Sequence, residues 1–287
     1  MPETTTAGEV AAIERRIELR ASPERVWRAL TEADELAAWF GQRCEIDLRP
    51  GGDAWFEWDE GGRYQARVEV VEPVRRLVVR WAAEQDQAVD DGLSTVLEWT
   101  IEPGRDGGSI LRLRESGFTE HASRFGNVQG WLDELRDLLA HLAEAPWQAG
   151  IRRTYVLRSA PERVWEAIST IPELDAWFGP TVGLEIRAGS EGWFDWPEHG
   201  RFAVRIEAVE APRYLAWSWT PHRDVRLADA SEVLRTEWYI GAAEGGGTAL
   251  DLLETGFMGP DEFRDNSTGW DADVLPALRK LLGESAA

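Results

Sequence analysis

The stretch Ser22-Pro23-Glu24-Arg25-Val26-Trp27 returns as Ala160-Pro161-Glu162-Arg163-Val164-Trp165, 138 residues later. The same offset carries AWFG from Ala38–Gly41 to Ala176–Gly179, WFEW at Trp55–Trp58 to WFDW at Trp193–Trp196, and Trp81 to Trp219. One inserted residue then makes the offset 139. Glu98-Trp99 maps to Glu237-Trp238, ESGF at Glu115–Phe118 to ETGF at Glu254–Phe257, and Gly130-Trp131 to Gly269-Trp270. Fourteen of the sixteen tryptophans pair in this way; Trp147 and Trp217 do not. The chain therefore reads as two copies of one domain of about 135 residues, a size that carries its own core. The expected layout is a mobile tail over 1–10, a first domain over 11–143, a linker over 144–150 and a second domain over 151–284. Pro146 and Gly150 punctuate the linker. Trp147, which lies in it, is expected to pack into the seam.

Composition narrows the function. Hydrophobic residues at 43% and charged residues at 29% are a globular balance, which excludes disorder for the bulk of the chain. The 52 acids against 31 bases give a net charge of -21, which repels phosphate backbones and anionic membrane surfaces. No nucleic-acid partner is expected. No apolar run approaches the ~18 residues of a membrane helix, and the N-terminus lacks the pattern of a signal peptide. Cys44 is the single cysteine, so neither an intramolecular disulfide nor a cysteine zinc site is available, and a cytoplasmic location is expected.

In each copy a strand (Ile13–Arg20 in the first) precedes a helix that Ser22 caps and Pro23 opens. A second short helix, about Ala33–Trp39, stops at Gly41. The segments Ala54–Trp58, Tyr64–Val71, Arg76–Trp81, Leu93–Ile101 and Ile110–Ser116 alternate or are rich in β-formers. Val128, Trp131, Leu132, Leu135, Leu138, Leu139 and Leu142 then follow helical spacing over about four turns. The predicted fold is α+β: two tandem domains, each a curved antiparallel sheet wrapped around a long C-terminal helix, with two short helices.

With SPERVW, AWFG, Gly51-Gly52, ESGF and the terminal GW-plus-leucine helix in this order twice, the chain resembles the START/Bet v1-like (SRPBCC) superfamily. Within it, the chain is similar to the branch related to the C-terminal domain of the Hsp90 ATPase activator. The resemblance implies the helix-grip fold. Many members of that superfamily hold an apolar ligand under the long helix, and some act as polyketide cyclases or aromatases. Members of the branch are generally non-catalytic or of unassigned activity, and relatives occur in bacterial antibiotic clusters, enediyne clusters among them.

Alternation sorts the faces. Phe56, Trp58, Tyr64, Trp81 and Trp99 point inward in the first copy, and Phe194, Trp196, Phe202, Trp217, Trp219 and Trp238 in the second. Trp131 and Trp270 face them from the long helices, and Phe118 and Phe257 follow the last strands. With Glu115 and Glu254 these residues form the expected ligand-binding wall, around an open aromatic-lined cavity in at least one domain. The two glutamates have three readings: a solvent-turned or arginine-paired strand end, a polar anchor at the cavity mouth, or a general acid or base. Trp55 and Trp193 point outward, and one of them is expected to be covered by the neighbouring domain or a partner. Pro276 inside the second long helix predicts a kink or late start near Asp273–Pro276, widening that domain's mouth.

No pair among His121, His141, His199 and His222 has metal-ligand spacing, and no GxSxG elbow is present. Gly51-Gly52 and Gly245–Gly247 sit between strands as turns. No metal and no cofactor is expected. The favoured function is binding of an elongated hydrophobic or aromatic small molecule, polyketide- or polyene-like, in biosynthesis or self-resistance, with a protein partner in such a pathway. The alternatives are a cyclase-like enzyme using Glu115, Glu254 and Tyr64, and a co-chaperone-like interaction module.

Overall fold

The computed structural model describes residues 10, 12–59, 61–119, 121–243 and 246–284, apart from the side chains of 121, 122, 125, 146 and 147. The expectations for residues 1–9 of the tail and for the Trp147 side chain fall outside the described residues. The chain divides into two compact units between Ala149 and Gly150.

The first unit runs β1 (Ile13–Leu19), α1 (Pro23–Thr31), α2 (Ala33–Leu36), β2 (Arg43–Ile46), β3 (Asp53–Trp58), β4 (Gly62–Glu72), β5 (Arg76–Ala82), β6 (Ser94–Pro103), β7 (Ser109–Ser116) and α3 (His121–His141). Its seven strands form one antiparallel sheet in the order β1-β7-β6-β5-β4-β3-β2. From β2 onward each strand pairs with the next, as short turns dictate. β1 and β2 lie at opposite edges, so α1 and α2 carry the chain across the sheet. Ser22 Oγ accepts from the Arg25 N–H at 3.3 Å and Pro23 opens α1, as the sequence requires. The two edges do not pair, so the sheet stays open and the expected wrapping around the helix is only partial.

The second unit repeats the plan. It runs β8 (Ile151–Leu157), α4 (Pro161–Ser169), α5 (Ile171–Trp177), β9 (Thr181–Val182), β10 (Glu191–Trp196), β11 (Gly200–Glu210), β12 (Tyr214–Trp219), β13 (Leu234–Ala242), β14 (Thr248–Thr255), α6 (Pro260–Gly269) and α7 (Leu275–Leu281). The strand order is the same. Even the irregularities match. A bulge falls between Val68 and Val70 in β4 and between Ile206 and Ala208 in β11, bending both sheets at one place.

The long helix of the second unit contains a π-turn at Trp270–Val274. The cause is an insertion. Trp131 and Trp270 are 139 residues apart, but Glu144 and Glu284 are 140 apart. Both glutamates do one job. Glu144 Oε1 accepts from the Arg20 and Ala21 N–H at 2.8 and 2.9 Å, and Glu284 Oε1 accepts from Arg158 and Ser159 at the same two distances. One extra residue separates these fixed points, and a π-turn absorbs it. Leu275 and Leu278, 3% and 1% exposed, thereby take the places of Leu135 and Leu138. Pro276 falls in the first turn of α7, where its missing N–H is harmless. The irregularity overlaps the expected Asp273–Pro276 only at Asp273 and Val274, the helix continues through it, and the expected widening is absent: Trp270 stays buried.

Candidate binding site: an aromatic cluster and a buried carboxylate

The repeated AWFG builds the centre of each interior. Trp39 Nε1 donates to the Ala29 carbonyl and Trp177 Nε1 to the Ala167 carbonyl, both at 2.8 Å, pinning α2 to α1 and α5 to α4. The next residue is thrown inward. Phe40 stacks on Trp131 at 5.5 Å and 11° and meets Phe56, Trp58 and Trp81 at 5.1, 5.3 and 5.7 Å. Phe178 meets Phe194, Trp196, Trp217 and Trp270 at 4.8 to 5.7 Å. The glycine that follows is obligatory. Gly179 has φ +138, and a Cβ there would lie 2.3 Å from Trp196 Nε1, which donates to the Phe178 carbonyl.

The inward aromatics named from the sequence gather around these two phenylalanines, in two tiers. Phe56, Trp99, Trp131, Phe194, Trp217, Trp238 and Trp270 are buried. Trp58, Tyr64, Trp81, Trp196, Phe202 and Trp219 are half-buried. Tyr64 stacks on Trp81 at 6.0 Å and 13°, with Trp58 edge-on to both. Trp196, Phe202 and Trp219 form the corresponding lip in the second unit. Phe118 and Phe257 are buried as well, but Phe257 packs on Phe263 and not on the hub.

The open cavity expected from this wall is not found. The first interior holds a void of about 20 Å³, room for about one water and far below the ~300–1,000 Å³ of a drug-sized site. In the second unit Phe194, Val204, Trp217, Trp238 and Leu252 are all 0% exposed. No water-sized space touches those side chains, from outside or within. Rings on Phe40 and Phe178, which strand alternation did not assign, fill the volume.

Glu115 and Glu254 lie inside that packing, not at its rim. Glu115 accepts from Thr95 Oγ1 at 2.6 Å, Asn127 Nδ2 at 2.8 Å and Trp131 Nε1 at 2.6 Å. Glu254 accepts from Trp270 Nε1 at 2.8 Å, Trp219 Nε1 at 3.0 Å, Thr236 Oγ1 at 3.1 Å and Asn266 Nδ2 at 3.3 Å. Burial pushes both carboxyls up, and the donors oppose it. Arg124, itself buried, also favours the Glu115 anion. The hydroxyls come from different places: Thr95-Val96-Leu97 in one copy corresponds to Leu234-Arg235-Thr236 in the other. The hydroxyl has moved two positions along the strand and still reaches the acid.

A third carboxyl escaped the sequence reading. Glu134 on α3 accepts from Trp58 Nε1 at 2.8 Å. Burial pushes it up to about 7, with Asp137 and Asp133 adding to the rise and the Trp58 bond opposing it. Its position, three residues after Trp131 and four before Leu138, sets it on the apolar face of the helix, and that spacing is the signal that could have found it.

The interiors also differ at one inward position. Trp217 pairs with Ile206 and Thr236, as Val79 pairs with Val68 and Leu97. The indole N–H groups of Trp217 and Trp238 have no hydrogen-bond partner. An unpaired buried donor costs about 1–3 kcal/mol. A buried aromatic ring covers about 150–250 Å², which contributes roughly 4–6 kcal/mol at about 25 cal/mol per Å², against about 2 for valine. Filling offsets the unpaired donor at position 217 without help from any ligand.

On the opposite sheet faces, Arg63 lies 4.0 Å over the Trp55 ring and Arg201 5.3 Å over Trp193. Both outward indoles are thus covered by an arginine of their own sheet. Among the described residues no group of three or more His, Cys, Asp or Glu is arranged to hold a metal, and no helix is long and apolar enough to cross a membrane.

Two open antiparallel sheets, each carrying helices over an aromatic interior that encloses a hydrogen-bonded glutamate, define a tandem α+β protein of the helix-grip, START/Bet v1-like class. The chain belongs to the family of activator of Hsp90 ATPase homolog 1-like proteins, whose model matches residues 20–144 and 158–283. No curated protein matches it. Among solved structures it is similar to DynU16, from the dynemicin biosynthetic locus, with 20% identity over 95% of this chain and 98% of that one and a TM-score of 0.41. CalU16 from Micromonospora echinospora is 23% identical over 46% of this chain and 76% of its own, with a TM-score of 0.38. Aha1 from Colwellia psychrerythraea is 22% identical over 46% and 96%, with a TM-score of 0.41.

Proposed function

We propose that the protein is a binding module that takes a flat, neutral, hydrophobic or aromatic molecule of the polyketide or polyene kind, in biosynthesis or self-resistance. The observation that carries this reading is the half-buried lip of Trp58, Tyr64 and Trp81, continuous through Phe40 with the buried rings. Stacked indole and phenol faces open to water lose solvent when a flat guest covers them. The guest lies against the lip and reaches inward only as side chains yield. The burial of Glu115 and Glu254 among hydrogen-bond donors favours binding over acid–base catalysis, because neither carboxyl meets a substrate at the surface.

Titration with N-phenyl-1-naphthylamine, which fluoresces in apolar surroundings, tests the reading. The wild-type chain enhances its emission saturably, and a Trp58→Ala, Trp81→Ala double variant weakens the affinity at least tenfold. No enhancement with the wild type removes the small-molecule role. The tightly filled interiors support a second reading, a protein-interaction module of the co-chaperone kind. Its test is co-purification with an Hsp90-type ATPase and stimulation of that ATPase; neither effect would leave it without support.

A further inference from the structure

The two units are not equivalent as binders. The void of the first unit is walled by Phe40, Phe56, Val79, Trp81, Leu97 and Trp99, among others. In the second unit the counterparts of Phe40, Phe56 and Trp99 are Phe178, Phe194 and Trp238. These three rings lie 5.6, 5.7 and 5.8 Å from Trp217. Trp217 stands where the first unit has Val79, on the same inward face and in the same register. The indole occupies the space that valine leaves.

Resting on the binding role proposed above, we infer that the first unit is the one that admits the guest, and that the residue at the Val79/Trp217 position decides this. In the first unit a ring sliding past the lip finds a gap beside Val79 that grows if Phe40 turns. The walls of that gap are apolar, and the Trp131 N–H at its inner end is already given to Glu115. The guest it suits is a neutral aromatic ring with no charged group at its leading edge. In the second unit the same path ends on Trp217, which is 0% exposed and held between Phe178 and Trp238. The second unit keeps the lip but lacks the space behind it.

Indole N–H resonances of the full-length chain, assigned by single Trp→Phe changes, read the two units separately. On saturation with N-phenyl-1-naphthylamine the signals of Trp81, Trp99 and Trp131 shift, while those of Trp217 and Trp238 stay in place. Shifts at Trp217 and Trp238, or equal shifts in both units, overturn the assignment and leave the binding role standing. No shift anywhere, with no fluorescence enhancement, overturns the binding role itself. As a second arm, Val79→Trp lowers probe affinity at least tenfold, and Trp217→Val brings the Trp238 signal into the set that responds. A folded Val79→Trp chain that binds as tightly as wild type also overturns the assignment. If that variant does not fold, the wild-type spectra alone decide.

Discussion

Glu254 receives hydrogen bonds from four side chains, and two of these donors, the indoles of Trp219 and Trp270, can only donate. Replacing it by glutamine keeps the shape but turns an amide N–H₂ toward donors. Glu254→Gln is expected to lower stability by about 2–3 kcal/mol, read from urea unfolding. A gain instead means that the folded protein holds this acid neutral. Glu134 gives a pH-dependent counterpart. Its folded pKa is about 7 against an ordinary 4.5, so the folded state keeps a proton that the unfolded chain has released. The stabilisation is full below pH 4.5 and is lost as the pH rises to about 7. Glu134→Gln flattens that window in a plot of urea midpoint against pH. Glu115 and Glu254 shift in the same direction, so a residual slope remains. Phe40 makes a third case. Phe40→Ala should cost about 3–5 kcal/mol, and the apolar space it leaves should take up benzene. Benzene then raises the melting temperature of the variant by more than it raises that of the wild type.

At the scale of elements, the π-turn is a one-residue insertion that the helix has absorbed. Deleting Ala272 together with Pro276→Ala is expected to give a continuous α-helix with Leu275 and Leu278 still facing the sheet. The melting temperature then changes by no more than a few degrees. Deleting Asp133 from α3 instead rotates Leu135, Leu138 and Leu139 by about 100° away from the sheet, and the first unit loses its core. Circular dichroism of the two deletions against the parent distinguishes them. The elements were readable because each carries its own signal. Ser22-Pro23 marks a helix start, and the alternation of Leu111 and Leu113 with Arg112 and Arg114 marks a half-buried strand. The π-turn was readable only in part. Proline pointed a few residues too far along, to Asp273–Pro276, and the cause lay in the spacing of two capping glutamates, whose role appears only when the helix end is seen against the strand end.

The molecule as a whole carries a charge of -21, and its acids repel one another more in the compact state than in the unfolded chain. Raising the salt from about 10 mM to about 200 mM, which shortens the screening length below about 10 Å, is expected to raise the melting temperature. A fall would mean that ion pairs such as Arg25–Glu35 and Arg153–Asp271 outweigh the net repulsion. The repeat, the fold class and the inward set of aromatics were legible in the sequence. The filling of the interior was not. Alternation tells which way a strand residue points, yet Phe40 and Phe178 sit on turns after short helices, outside any period. Nor does a sequence reveal how far the eight or nine neighbouring rings of each unit interdigitate, since that depends on angles fixed by the assembled sheet.

The clasp made by Glu144 on Arg20 and Ala21, repeated by Glu284 on Arg158 and Ser159, has a consequence beyond stability. It brings the finish of each module back beside its beginning. A copy closed in that manner can be followed by another across a few joining residues, without new architecture in either. Lengthening such a protein by gene duplication asks little of evolution, and the freed copy can then lose one task, as a single bulky indole on its inner wall would accomplish.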